Sequence, residues 1–182
     1  GAGEAMEYTP VTLAGVYAHD LEAHVFGTLG GAPGVYVFTP LDAPGPEGGG
    51  RRFVYVNRGF VPQALRDPAA RSEGAPTGEV TVTGLLRAAE TPPAIAGLFR
   101  PADQPGDNLW FAREPARLAA HHGIQTPRWY IDSSGAENPG AWPKGGTTRV
   151  AFPNNHLDYA LTWFGLALAL LVIYAALSLR RR

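Results

Sequence analysis

Two patterns of apolar residues divide the chain. Up to about residue 152 they fall in short runs, rich in β-branched and aromatic side chains and cut by Gly or Pro. Val11–Tyr17, Gly34–Leu41, Arg51–Gly59, Val80–Arg87, Trp129–Asp132 and Thr148–Phe152 each read as a strand, with Pro40 expected to stop the second. The turn-rich stretch Asp42–Gly50 between the second and third suggests a β-hairpin. Pro62–Gly78 and Ala88–Gly106 read as Pro-rich loops. One short helix is expected over Glu114–Gly123, with an acid and Pro115 at its start and Gly123 past its end. From Tyr159 to Leu179 the pattern changes. The residues are almost continuously apolar and carry no charge for about 20 positions, which is roughly 30 Å of helix and enough to cross the hydrocarbon core of a bilayer.

These patterns predict a mainly β (α+β) domain over 1–153, an antiparallel barrel-like or sandwich sheet with one or two short helices. A transmembrane helix with an Arg cluster follows over 154–182. Arg180, Arg181 and Arg182 close the chain directly after the apolar run, and positive residues stay on the cytoplasmic side. The expected arrangement is an inner (cytoplasmic) membrane anchor with a cytoplasmic C-terminus and the domain on the periplasmic side. Gly1–Glu7 has neither the basic nor the apolar region of a signal peptide, so a missing first segment is expected upstream.

Composition narrows the function. A formal net charge of -1 without a clustered basic surface argues against nucleic acid as a partner. The chain has 0 Cys and 1 Met, which excludes thiol chemistry and argues against a Cu(I) carrier. No GxSxG, HExxH, GxGxxG or Walker sequence occurs, so an enzyme is not expected; an exported hydrolase with a membrane tail is the weakest alternative.

Four segments carry a resemblance: Gly34-Val35-Tyr36-Val37-Phe38-Thr39-Pro40-Leu41, Val56-Asn57-Arg58-Gly59-Phe60-Val61-Pro62, Asn108-Leu109-Trp110, and Asn155-His156-Leu157-Asp158-Tyr159-Ala160-Leu161-Thr162-Trp163-Phe164. In these residues, and over nearly its whole length, the chain resembles the Surfeit locus protein 1 family of cytochrome c oxidase assembly factors. Phe60 stands where that family usually has Trp. The resemblance implies two transmembrane helices flanking an exported domain, the first of which is absent here. It also implies a role in haem a delivery or insertion into subunit I of an aa3-type oxidase, with subunit I, and haem A synthase as a further partner, and haem a as cofactor. The His of the final motif, His156, is the haem-iron ligand that it implies. The alternative is a membrane-anchored interaction chaperone that stabilises subunit I without haem of its own.

Read from the residues themselves, His156 is either an axial imidazole at membrane-surface depth or an interfacial histidine beside an aromatic belt. Trp163 lies seven positions on, nearly on the same face if the helix starts that early, and Tyr159 lies between them. Arg58 either pairs with a haem propionate or partner carboxylate, or ends a strand with Gly59. His121 and His122, adjacent and so about 100° apart on a helix, read as a solvated helix end. His19 and His24 read as exposed turn residues, and Trp110, Phe111, Trp129 and Tyr130 as core aromatics.

Overall fold

The structure, a computed structural model, describes residues 7–45, 50, 52–90, 100–135, 142–146 and 156–180, the last group with side chains from Ala160 onward. The chain divides into two compact units, Gly1–Thr148 and Arg149–Arg182.

The first unit is a barrel with an extension. Its described strands are β1 (Pro10–Tyr17), β2 (Ala23–Leu29), β3 (Ala32–Ala43), β4 (Arg52–Pro62), β5 (Glu79–Ala88), β6 (Leu109–Trp110) and β7 (Trp129–Ser133). They are ordered β1-β5-β7-β4-β3-β2-β6, and a second pairing of β1 with β3 closes β1, β5, β7, β4 and β3 into a ring. The barrel is therefore five-stranded and mixed. Most contacts are antiparallel as expected, but β4 and β7 run parallel, with Val56 beside Ile131, and β2 pairs β6 in parallel outside the ring. A closed ring removes the exposed strand edges that a two-sheet sandwich would leave.

Each of the five ring strands sends apolar residues inward. Leu41 and Ala43, Val54 and Val56, Val82 and Ile131 form the barrel interior, with Val11, Leu13, Tyr17, Val80 and Trp129 packed against them. The alternation along β5, with Val82 and Leu86 buried and Thr81 and Thr83 exposed, is the period of two read in the sequence. On the outer face a second cluster joins Tyr36, Phe38, Tyr55, Phe60 and Tyr130 to Leu118 and Ala119 of helix α1 (Pro115–His122). Gly123 caps α1 in the left-handed region at φ 67°, which glycine adopts without penalty.

Several expectations are corrected. Pro40 does not end its strand. β3 runs through it because one edge of β3 changes partner there, from β2 up to Phe38 to β1 from Leu41. The Pro40 carbonyl accepts from the Ala18 amide, and the missing N–H falls at the handover. β4 extends past Gly59 to Pro62. β2, unread in the sequence, pairs the first half of β3. The loop after β4 contains a 3-10 segment, Pro68–Gly74, started by the Asp67 side chain accepting from the Ala69 amide at 2.9 Å. The strand expected at Thr148–Phe152 lies outside the described residues.

The second unit is helix α2 (His156–Arg180). Ala160–Arg180 is long and apolar enough to cross a membrane, and Leu161, Trp163, Phe164 and Leu171 are all exposed along it.

Candidate functional site

The motif Asn57-Arg58-Gly59 sits within β4, where each residue has its own task. Asn57 Nδ2 donates to Asp132 Oδ1 at 2.7 Å, tying β4 to its parallel neighbour β7, and Asn57 Oδ1 accepts from the Gly59 amide at 3.1 Å. Gly59, at φ 124°, carries the register shift against Val37, and a Cβ there would collide with the Lys144 carbonyl. The bulge changes which face the later residues take, so Phe60 joins the outer cluster with Tyr36.

Arg58 falls on the inward column after Val54 and Val56, and it is 0% exposed. Its guanidinium donates to the Gly74 carbonyl and lies 4.7 Å from the centroid of the Tyr17 ring. Burial lowers its pKa, while Tyr17 and Glu22 act in the opposite sense.

Around Arg58 lies a buried polar network that the sequence reading missed. Arg71 donates to both oxygens of Glu22, to Oε2 at 3.3 Å and to Oε1, and its Nε donates to the Leu65 carbonyl at 3.0 Å. His24 Nε2 is 2.7 Å from Glu22 Oε1, and Arg66 Nε donates to His24 Nδ1 at 3.4 Å, which assigns the proton to Nε2. Asn108 Nδ2 donates to the Glu22 carbonyl at 2.7 Å, and Trp110 Nε1 donates to Asn108 Oδ1 at 3.2 Å. Burial alone would raise the Glu22 carboxyl, but the hydrogen bonds from His24 and Arg71, with the Arg71 charge, hold it below the ordinary carboxylate value. Glu22 and His24 are thus buried, not exposed turn residues. The available signal was the alternation Glu22-Ala23-His24-Val25, whose apolar members join the outer cluster.

At the end of α1, His122 is also not simply solvated. The Tyr55 hydroxyl, kept protonated by burial, lies 2.8 Å from His122 Nδ1. Burial, and then the neighbouring His121, lower the His122 pKa. His121 remains exposed and meets Trp110 edge-on at 5.4 Å. Of the aromatics expected in the core, Trp110 and Tyr130 are buried; Phe111 and Trp129 are half-buried. Among the described residues no group of three or more His, Cys, Asp or Glu is placed to hold a metal ion.

The remaining candidates belong to the second unit. Helix α2 includes His156, so positions 156, 159 and 163 share one helical face; the side chains of His156 and Tyr159 lie outside the described residues, and Trp163 is 70% exposed. Arg58 belongs to the first unit and His156, Tyr159 and Trp163 to the second.

The sequence profile of the SURF1 family matches residues 2–168, a range that takes in the barrel and the start of α2. The chain belongs to the SURF1 family. Among its relatives are Surfeit locus protein 1 of Rattus norvegicus, 30% identical over 97% of this chain and 59% of that protein, and Surfeit locus protein 1 of Homo sapiens, 31% identical over 90% and 57%. A SURF1-like protein of Monosiga brevicollis is 30% identical over 94% of this chain and 67% of that protein. The chain spans a little under three fifths of the rat and human proteins. Within this SURF1 chain, Asn57-Arg58-Gly59 forms barrel architecture, whereas His156, Tyr159 and Trp163 belong to the apolar helix.

Proposed function

We propose that this protein is an assembly factor for an aa3-type cytochrome c oxidase, the role for which the SURF1 family is known, and that it assists haem a delivery or insertion into subunit I. The family match over residues 2–168 carries the reading. The domain is proposed to lie on the periplasmic side of the inner membrane, anchored by Ala160–Arg180 with Arg180–Arg182 toward the cytoplasm. Its partners are subunit I and haem A synthase.

The sequence positions along α2 support this reading: 156, 159 and 163, which are His, Tyr and Trp, fall on one helical face, and an imidazole is a common axial ligand of haem iron. His156 would ligate the iron, with Tyr159 and Trp163 flanking the ring. The haem supplies the redox centre once it is installed in the oxidase; this chain's part is to bind it, orient it and exclude water from it. Arg58, fully buried in the first unit and donating to the Gly74 carbonyl, is assigned to the barrel and not to a haem propionate.

The test is expression of the full chain with haem A synthase. Purified protein should show a haem a absorption spectrum, and His156→Ala should abolish it and lower oxidase haem content. A haem-free protein on which oxidase assembly still depends would leave the interaction-chaperone reading in its place.

A further inference from the structure

Strand β2 has one edge that the fold leaves open. Along the other edge it pairs β3 from Ala23 beside Phe38 to Leu29 beside Ala32, with no register shift. Gly30 and Gly31, at φ 60° and 84°, make the two-residue turn between the strands. In such a hairpin the closing pair, Leu29 and Ala32, exchanges both backbone hydrogen bonds, and every second pair back from it does the same. Phe26 and Thr28 therefore turn their N–H and C=O groups away from β3. Pro33 agrees with this register: it has no N–H to give, and it stands opposite Thr28, where β2 asks for none. On the open side β6 covers His24 and Val25 alone. Thr28 is exposed, and its backbone N–H and C=O meet no partner among the described residues.

Natural sheet edges are blunted by charge, proline or a bulge. β2 has no proline and no bulge, and residues 25–41 include no charge. Phe26 is 45% exposed beside Phe111, their ring centroids 5.7 Å apart.

The free groups suit a second copy of the same edge. A residue on a two-fold axis pairs with itself, so it must offer both a donor and an acceptor, as Thr28 does. Antiparallel pairing about Thr28 sets Phe26 opposite Gly30 of the copy, and with no charge on either side nothing repels across the axis. An uncharged edge also gives no steering toward a charged partner. The overlap, residues 26–30 of each copy, is well short of the roughly 800 Å² per partner of a stable soluble complex. Association is thus left to copies that share a membrane. Ala160–Arg180 is long and apolar enough to anchor each one, and confinement raises their effective concentration.

We propose that two membrane-anchored copies pair through their β2 edges, Thr28 against Thr28, in one continuous sheet. This goes beyond haem handling and is independent of His156, so a haem-free protein would leave it standing.

The chain has 0 Cys, so Thr28→Cys, and Thr81→Cys on the exposed side of β5, each introduce a single thiol. The full chain is reconstituted in liposomes at several protein densities and oxidised with copper phenanthroline. Facing hydrogen-bonded residues stand about 5.5 Å apart, within disulfide reach. Thr28→Cys should therefore form the disulfide dimer at least about tenfold faster than Thr81→Cys. Donor and acceptor dyes on Thr81→Cys then report association by energy transfer. Thr28→Pro, added to it, removes the outward N–H and no bond to β3. Thr28→Lys instead sets like charges at the axis. Each should abolish the energy transfer, and salt should restore it for the lysine variant. Equal disulfide rates at positions 28 and 81, or no energy transfer at any density, would overturn the pairing. Energy transfer that survives both substitutions would show the copies meeting elsewhere and would overturn the β2 edge. An unchanged melting curve for Thr28→Lys, at an exposed side chain, excludes unfolding as the cause.

Discussion

Val54 and Arg58 stand four residues apart on the same inward column of β4, yet the two ends of the barrel that they mark are built on opposite principles. At the Arg58 end charge is buried, and it is held by specific partners: Glu22 bridges Arg71 and His24, and Gly74 receives Arg58. At the Val54 end the described interior is apolar, with Leu13, Ala43 and Val82 clustered with Val54, and Arg52 stands exposed at the start of β4. A buried ion gains little stability over an apolar replacement, but it becomes very costly once its partner is removed. Apolar packing does not depend on one partner in this way. The polar end fixes how the segments Glu22–His24, Leu65–Gly74 and Asn108–Trp110 come together, while the other end is held by apolar packing.

The contrast can be broken most forcefully at Arg71. Arg71→Ala leaves the Glu22 carboxylate buried without its main cation and should cost about 3–5 kcal/mol in urea denaturation. A loss near zero would show that the network is not a structural clamp.

The same network should respond to acid. Glu22 has a folded pKa below its ordinary value of 4.5, so its contribution is complete above about pH 4.5 and is lost as pH falls through the lower folded value. Melting temperature followed from pH 6 to pH 3 should fall in the wild type, and Glu22→Gln should flatten the part of that fall due to this group.

A smaller effect is expected on the outer face. Tyr55→Phe removes the hydroxyl that meets His122 and should cost about 1 kcal/mol. Because burial and His121 hold the folded His122 pKa down, folding favours its neutral form. That contribution is present above about pH 6.5 and is lost as pH falls through the folded value.

The smallest effect belongs to the apolar end. Arg52→Gln, exposed and without a carboxylate partner among the described residues, should change stability by no more than about 0.5 kcal/mol. A loss as large as that of Arg71→Ala would erase the distinction between the two ends.

The legibility of the sequence follows the same division. β1, β3, β4 and β7 were readable from their short runs rich in β-branched and aromatic residues, β5 from its alternation of apolar and polar positions, and α1 because Pro115 and Gly123 mark its ends. β2 was hidden because Glu22 and His24 look like surface residues, and only their partners make them tolerable inside. Arg71 was hidden for the same reason, since its partner lies 49 residues away. The parallel closure of β4 on β7 was not readable either, because local pattern says nothing about which distant strand will pair. Pro40 misled because its strand changes neighbours at that residue. At the candidate cofactor positions, the shared helical face of 156, 159 and 163 was legible from spacing and needed only that the helix include His156.

The most direct measurement of the central claim is the visible spectrum of the full chain purified after expression with haem A synthase, beside that of His156→Ala. The account predicts a haem a spectrum in the first and its loss in the second, with barrel stability unchanged. A spectrum of equal intensity in both would contradict it.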